Sequence, residues 1–188
     1  MNKRSAMRGD DAFADAGSVE GIVDGVLAVL GVVLVAIVAI GMVLILASVA
    51  QAAPPFSGQV VRVADGDTLT VLRESVPVKV RLAEIDAPEK KQAFGERARQ
   101  SLADLCFGRT AVVLRGKIDF YGRTVARVRC RGRDASTHQI QQGLAWAYTA
   151  YLTDPRIATA EQLARGAELG LWTTPEPTPP WLFRKAKK

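Results

Sequence analysis

The sequence predicts an α+β protein in which a five-stranded Greek-key barrel of the OB type carries three helices and follows one N-terminal transmembrane helix. Three observations predict this fold. An uninterrupted apolar block lies near the N-terminus. After it, five short segments have strand patterns, and a segment with helical spacing separates the third from the fourth. Two more helical segments follow the last strand, and this order suits a partly open Greek-key barrel.

The apolar block, Val26–Ala50, contains no charged residue. At about 1.5 Å per residue, a helix of this length reaches across a hydrocarbon core of about 30 Å. A buried core helix is the alternative, but it would have to be apolar on all sides in a domain too small to enclose it. Ala50-Gln51-Ala52 is similar to the end of a cleavable signal, whose apolar core usually has only about 7–15 residues. The longer block favours a retained membrane anchor, with a cleaved signal as the alternative.

Composition divides the chain into five parts. They are a disordered segment at 1–21, a membrane anchor or signal at 22–53, a linker at 54–57, a folded domain at 58–174, and a Pro-rich basic tail at 175–188. The distribution of basic residues slightly favours a cytoplasmic N-terminus. The folded domain is then expected outside the cytoplasm, either anchored to the membrane or secreted after cleavage.

The first three strands come early in the domain. Gly58–Val63 has the pattern of a strand, and Thr68–Leu72 follows it in hairpin spacing after the turn-forming run Ala64-Asp65-Gly66-Asp67. Val76–Leu82 alternates apolar and polar residues. That alternation places Arg81 on the face opposite its apolar neighbours.

Helical spacing predicts three helices, and strand patterns predict the two remaining strands. The first helix covers Phe94–Cys106, the second lies around Ser136–Gln142, and the third lies near Ile157–Leu169. Two strands, Thr110–Leu114 and Thr124–Cys130, are expected between the first and second helices.

The two cysteines, Cys106 and Cys130, and the single histidine, His138, are not arranged as a zinc site. Neither cysteine is in a CxxC pair, and His138 has no partner at metal-ligand spacing. In an exported domain the cysteines could form one disulfide. Both also lie in apolar positions that suit buried free thiols, so both alternatives stay open.

The charge balance favours a polyanionic partner. The whole chain has a net charge of +6, and residues 54–188 carry 22 basic and 14 acidic side chains. A small basic domain attracts polyanions, of which nucleic acid is the commonest. Basicity also serves solubility, so charge alone does not identify the partner.

Five charged residues at strand ends and in loops form a set that suits phosphodiester cleavage: Asp67, Arg81, Asp86, Glu89 and Arg123. Carboxylate oxygens hold a divalent cation that polarises the phosphate, and a further carboxylate deprotonates the attacking water. Guanidinium groups stabilise the charge that develops on the phosphoryl oxygens. The alternative is a tight Asp-Gly-Asp turn with arginines that pair with nearby acids at the surface.

Three ordered segments resemble the signature segments of the staphylococcal nuclease (thermonuclease-like) family. They are Val63-Ala64-Asp65-Gly66-Asp67-Thr68-Leu69, then Val80-Arg81-Leu82-Ala83-Glu84-Ile85-Asp86-Ala87-Pro88-Glu89, and Asp119-Phe120-Tyr121-Gly122-Arg123. The resemblance continues through Gly143-Leu144-Ala145-Trp146 and Gly170-Leu171-Trp172, so it covers nearly all of 58–172. It implies an OB-type barrel and a Ca²⁺-dependent nuclease that hydrolyses DNA or RNA.

The resemblance also implies roles for the acidic residues. The carboxylates of Asp67 and Asp86 and the backbone carbonyl of Ala87 correspond to the protein ligands of the calcium ion. Glu89 corresponds to the general base. Ala87 stands where the best-known member has threonine, and its carbonyl ligand is retained.

By the same resemblance, Arg81 and Arg123 correspond to the two arginines that clamp the phosphate. Tyr121 and Tyr151 correspond to tyrosines beside the bound nucleotide. Phe120 replaces a lysine of the family pattern, which removes one charge directed at phosphate.

The resulting expectation is a calcium-dependent endonuclease that acts as a monomer on nucleic acid and is attached to a membrane through 26–50. Two other functions remain as alternatives at this point. One is an OB module that binds single-stranded nucleic acid without cutting it, and the other is an interaction domain of the cell envelope that uses the fold as a scaffold. Retention of all five charged groups argues against a pure binder, which has no use for them in one pocket.

Overall fold

A computed structural model describes residues 29–40, 42 and 52–186, which belong to two units, Met1–Ala50 and Gln51–Lys188. In the first unit, residues 29–40 form helix α1, and their side chains are exposed. In the described ranges, no helix combines the length and the apolar character needed to cross a membrane. The predicted span Val26–Ala50 extends beyond those ranges at 26–28, 41 and 43–50, so the anchor stays a prediction.

The second unit has a mixed α+β architecture, which confirms the predicted class. Its strands are β1 (Ala52–Ala53), β2 (Phe56–Val63), β3 (Thr68–Arg73), β4 (Val76–Leu82), β5 (Ile85–Asp86), β6 (Thr110–Val113), β7 (Gly116–Ile118), β8 (Thr124–Ala126), β9 (Val128–Cys130), β10 (Arg133–Asp134) and β11 (Trp146–Ala147). Its α-helices are α2 (Gly95–Cys106), α3 (Ala135–Gln141), α4 (Pro155–Gly166) and α5 (Pro180–Lys185), and short 3₁₀ turns lie at Thr149–Tyr151 and Gly170–Thr173.

The main sheet is built around the antiparallel series β2, β3 and β4. β3 and β4 are joined by a two-residue turn, because Arg73 pairs directly with Val76. Glu74 and Ser75 in this turn both have positive φ. That conformation matches the twist of the flanking strands in a tight hairpin.

The predicted fifth strand, Thr124–Cys130, is divided at Arg127 into β8 and β9. β8 runs parallel to β4, whereas β9 runs antiparallel to β6. Because β4 and β6 lie on either side of the β3–β2 pair in the strand order, this single run of chain joins both sides of the sheet. This sharing of one run of chain between both sides of the sheet is compatible with the predicted Greek-key barrel.

The predicted strand count of five is too low. In the described residues, the main sheet has nine strands in the order β1-β7-β8-β4-β3-β2-β6-β9-β10, and β11 pairs with β5 separately. The additional strands have only two or three residues. Segments that short cannot display the apolar and polar alternation from which strands are predicted.

The three predicted helices are present as α2, α3 and α4, and α5 is an additional helix in what the sequence indicated to be a tail. The main core contains side chains from the sheet, α2, α3 and α4, among them Leu69, Val80, Leu102, Ile140 and Ile157. Burial of such side chains is the main favourable contribution to folding.

A disulfide resolves the alternatives left open for the cysteines. Cys106 at the end of α2 is bonded to Cys130 at the end of β9, with their Cα atoms 5.3 Å apart. Both residues are fully buried. The bond joins α2 covalently to β9.

Candidate active site

The turn before β3 and the end of β4 bring Asp67 and Arg81 together. Thr68 pairs with Arg81 in the β3–β4 ladder, and the backbone N–H of Leu82 donates to the carbonyl of Asp67 at 2.7 Å. The Asp67 side chain is buried, with only 3% of the residue exposed. Its Oδ1 accepts from Thr68 Oγ1 at 2.8 Å, and its Oδ2 accepts from the backbone N–H of Ala87 at 3.1 Å.

Arg81 joins Asp67 to Asp86. Its Nη1 lies 3.1 Å from both carboxylate oxygens of Asp67, and its Nη2 donates to Asp86 Oδ1 at 2.7 Å. Asp86 is fully buried on β5, where the pairing of β5 with β11 places it opposite Trp146. The arginine is therefore the link between two buried carboxylates that are distant in the sequence.

The negative charge of Asp67 is only partly compensated by its neighbours. Burial raises the pKa of Asp67 to about 7, more than the Arg81 guanidinium and the donors Ala87 and Thr68 lower it. The nearby Asp65 carboxylate raises the pKa of Asp67 further. A buried carboxyl of this kind is stabilised as the anion by additional positive charge.

Glu89 lies at the rim of the same site. Its side chain is 40% exposed, and its backbone N–H donates to Gln92 Oε1 at 3.1 Å. The loop from Glu89 to Gly95 is tight, because a Cβ at Gly95 would lie 2.1 Å from the Glu89 carbonyl oxygen. Only glycine allows the start of α2 to approach Glu89 this closely.

Arg123 occupies a separate position on the loop between β7 and β8. Its Nε and Nη2 contact Asp119 Oδ2 at 2.8 and 2.7 Å, and its guanidinium lies 5.4 Å from the centre of the Tyr121 ring. The structure shows no hydrogen bond between Arg123 and the acidic residues Asp67, Asp86 or Glu89 within the described residues. The parallel pairing of β4 and β8 nevertheless aligns Arg81 with Val125, only two residues after Arg123.

The predicted nucleotide contacts, Tyr121 and Tyr151, are both exposed, at 78% and 67%. Tyr121 shares its loop tip with Phe120, whose ring meets it edge to face at 5.6 Å. Tyr151 ends a 3₁₀ turn and lies 4.9 Å from the ring of Tyr148. The two tyrosines therefore belong to different loops and have accessible rings.

The structure adds Arg184, which sequence reasoning did not identify. Its Nη2 donates to Asp86 Oδ2 at 2.7 Å, and its Nη1 donates to Asp86 Oδ1 at 3.2 Å and to Glu89 Oε1 at 2.8 Å. We refer to Asp67, Arg81, Asp86, Glu89 and Arg184 as the carboxylate cluster. The sequence does carry a sign of the helix that holds Arg184. Pro179-Pro180 precedes Trp181, and proline is favoured in the first turn of a helix.

A second group, the Arg127 cluster, comprises Arg127, Glu84, Asp134 and Asp154. Arg127 donates to Glu84 Oε2 at 2.7 Å, to Asp134 Oδ2 at 2.8 Å and to Asp154 Oδ2 at 3.1 Å. Glu84 Oε1 also accepts hydrogen bonds from the backbone and hydroxyl of Thr153 and from the Asp154 N–H. This cluster connects the turn between β4 and β5 to the N-terminal ends of α3 and α4.

Within the described ranges, no group of three or more His, Cys, Asp or Glu side chains is arranged to hold a metal ion. The ligand set expected from the sequence has only two such side chains, Asp67 and Asp86, with the Ala87 carbonyl as the third protein oxygen.

Comparison with known proteins finds relatives whose sequences are similar to this chain. The sequence model of the family described as Staphylococcal nuclease homologue matches residues 79–174. A protein named Micrococcal nuclease from Shigella flexneri is 44% identical over 144 residues, covering 71% of this chain and 83% of the relative. Protein ParB of Escherichia coli is 44% identical over 154 residues, covering 76% and 86%. A protein named Uncharacterized endonuclease from Haemophilus influenzae is 40% identical over 131 residues, covering 69% and 74%.

Proposed function

The chain belongs to the staphylococcal nuclease family and is a nuclease that hydrolyses phosphodiester bonds, and we propose that the carboxylate cluster performs the reaction on DNA or RNA with a calcium ion. One observation carries the proposal. Arg81 joins the buried carboxylates of Asp67 and Asp86 near the half-exposed carboxylate of Glu89. The site thus combines a cation-binding pair, a base and a phosphate-binding group.

The donor set fits calcium. Asp67, Asp86 and the Ala87 carbonyl supply hard oxygen ligands, which calcium prefers. The raised pKa of Asp67 indicates that its buried charge is incompletely compensated, as expected where a cation is to bind. When bound, the ion supplies positive charge that polarises a phosphate oxygen.

Glu89 is proposed as the general base. Its half-exposed carboxylate is accessible to water, whereas Asp67 and Asp86 are buried. Glu89 would take the proton of the water molecule that attacks phosphorus. A positioned general base typically contributes about 10²–10⁴-fold to the rate.

Arg81 and Arg123 are proposed to bind the phosphoryl oxygens. A guanidinium stays charged and matches two phosphate oxygens with its planar fork. Arg123 Nη1 has no partner among the described residues, so it can donate to phosphate while Nε and Nη2 remain on Asp119. The exposed rings of Tyr121 and Tyr151 would stack on the sugar or base of the bound strand.

The test is release of acid-soluble nucleotides from DNA and from RNA, with calcium and with a chelator. Glu89→Gln should lower the rate by about 10²–10⁴-fold without changing the unfolding midpoint. Glu96→Gln, an exposed carboxylate on α2, is the matched control and should retain the wild-type rate. Unchanged cleavage by Glu89→Gln would contradict the role of Glu89 as the base. Full activity in the presence of chelator would contradict the requirement for calcium.

We also propose that the nuclease domain acts as a monomer outside the cytoplasm, attached through Val26–Ala50 or released by cleavage. The Cys106–Cys130 disulfide supports this, because disulfides persist mainly in oxidising compartments. The mass of the mature chain distinguishes anchor from cleaved signal, and light scattering reports its oligomeric state. Alkylation of both cysteines in freshly isolated protein would contradict an oxidising location.

A further inference from the structure

The C-terminal segment from Thr178 to Lys185 lies directly on the carboxylate cluster. The Thr178 carbonyl accepts from Gln92 Nε2 at 2.5 Å, and Gln92 Oε1 accepts from the Glu89 backbone N–H. Pro180, the first residue of α5, is buried. The segment is therefore anchored to the same loop that positions the proposed base.

Arg184 uses the oxygens that the proposed mechanism needs. It donates to both oxygens of Asp86 and to Glu89, while Arg81 also donates to Asp86 Oδ1. A calcium ion on Asp86 would lie a few ångströms from the Arg184 guanidinium. Two cations at that separation repel strongly in a partly buried site. Arg184 and calcium therefore compete for Asp86.

Trp181, one turn before Arg184, covers an aromatic surface beside the cluster. Its ring is parallel to that of Tyr148, with an interplanar angle of 7° and 6.3 Å between centroids, and it meets Trp146 edge to face at 6.4 Å. Nucleobases also bind aromatic side chains with their ring planes parallel. The helix thus presents a cation to the carboxylates and a flat ring to Tyr148, the two features that a nucleotide–calcium complex would also present.

We propose that α5 is an autoinhibitory segment that occupies the active site until calcium and nucleic acid displace it. This inference rests on the proposed function, because it takes Asp86 as a cation ligand and Glu89 as the base. The helix has only six residues, and isolated helices shorter than about 12 residues are marginal in water. Its position therefore depends on tertiary contacts, which include those of Arg184, Trp181 and Thr178. The contacts of Arg184 and Trp181 are made with groups that calcium or a nucleotide would bind.

Calcium affinity of the full chain, measured by isothermal titration calorimetry with calcium alone, tests the competition. Arg184→Gln removes the competing charge and should bind calcium about 10-fold more tightly, as the loss of a charged hydrogen bond implies. Lys185→Gln is the matched control, with the same charge change at the next residue, and should match wild type. Calcium binding that is unchanged or weaker in Arg184→Gln would overturn the proposal.

Tryptic cleavage after Arg184 gives an independent measure of helix release in the wild-type chain. Calcium should accelerate this cleavage, followed by mass spectrometry, because Arg184 leaves Asp86 and Glu89 and the six-residue helix that holds its backbone then unfolds. If calcium binds and nucleic acid is cut while cleavage after Arg184 is not accelerated, α5 is not inhibitory but the proposed function stands. If neither wild type nor Arg184→Gln binds calcium, both proposals fail.

Discussion

The carboxylate cluster and the Arg127 cluster each contain three carboxylates but stabilise them in different ways. Asp67, Asp86 and Glu89 face Arg81 and Arg184, whereas Glu84, Asp134 and Asp154 face Arg127 and the exposed Arg156. In the Arg127 cluster, backbone N–H groups also donate hydrogen bonds to the carboxylates. Asp134 caps α3 through Thr137, and Asp154 caps α4 through Arg156.

The difference appears in the pKa values. Burial opposes ionisation of Glu84, but hydrogen bonds from Thr153 and Asp154 and the charge of Arg127 lower its pKa overall. Burial of Asp67 prevails instead, and its pKa is raised to about 7. Backbone donors cannot leave, whereas arginine side chains can exchange with a metal ion or a phosphate. The comparison indicates which cluster maintains the fold and which is arranged to bind.

Removing Arg127 should have the largest effect on stability. Arg127→Gln leaves three carboxylates without their shared cation, and loss of one partner of a buried ion pair costs about 3–5 kcal/mol. Urea unfolding should therefore show a lower free energy of unfolding, while the nuclease rate of the folded fraction stays within about 10-fold of wild type. Arg129→Gln, an exposed residue on β9, is the control and should change the free energy of unfolding by less than about 0.5 kcal/mol. Loss of rate without loss of stability would place function in the Arg127 cluster.

Arg81→Lys should have the opposite profile. Lysine keeps the positive charge between Asp67 and Asp86 but loses the planar fork that matches two phosphate oxygens. The nuclease rate should fall by about 10²–10³-fold, as for loss of one preorganised donor, with a smaller change in unfolding than Arg127→Gln. Arg99→Lys on the surface of α2 is the matched control. A stability loss as large as that of Arg127→Gln, with normal activity, would remove the distinction between the clusters.

The residues of the carboxylate cluster that belong to short sequence segments were predictable. Asp67, Arg81, Asp86 and Glu89 lie within two segments of recognisable pattern, joined by one hairpin whose register follows from alternation. The alternative that arginines pair with nearby acids is also found, since Arg123 contacts Asp119 four residues away. Both the four site residues and the Arg123–Asp119 pair follow from local sequence patterns, which can be recognised without a structure.

Arg184 and the Cys106–Cys130 bond depend on distant packing. Arg184 lies 98 residues after Asp86, and its contact follows from the path of a segment whose composition resembles a solvated tail. The disulfide requires the end of α2 to meet β9, which neither cysteine's neighbours specify. The sequence pattern also does not predict the break of the fifth strand at Arg127. The break results from pairing of β8 with β4 and of β9 with β6. Such contacts depend on how segments that are distant in the sequence pack and pair.

The pH dependence of stability sharpens the comparison through a smaller effect at Asp154. Hydrogen bonds from Arg156 and Arg127 hold the pKa of Asp154 well below its ordinary value of 3.8, against a small opposing effect of desolvation. A depressed folded pKa contributes stability that is present above the unfolded value and is lost as the pH falls through the folded value. Asp154→Asn should therefore be less stable than wild type at pH 6, and the difference in urea midpoint should shrink steadily below about pH 4. Asp104→Asn, an exposed carboxylate on α2, should show no such convergence. If the Asp154→Asn difference is constant from pH 6 to pH 2, the charge of Asp154 contributes nothing, and the Arg127 cluster is held by its uncharged hydrogen bonds alone.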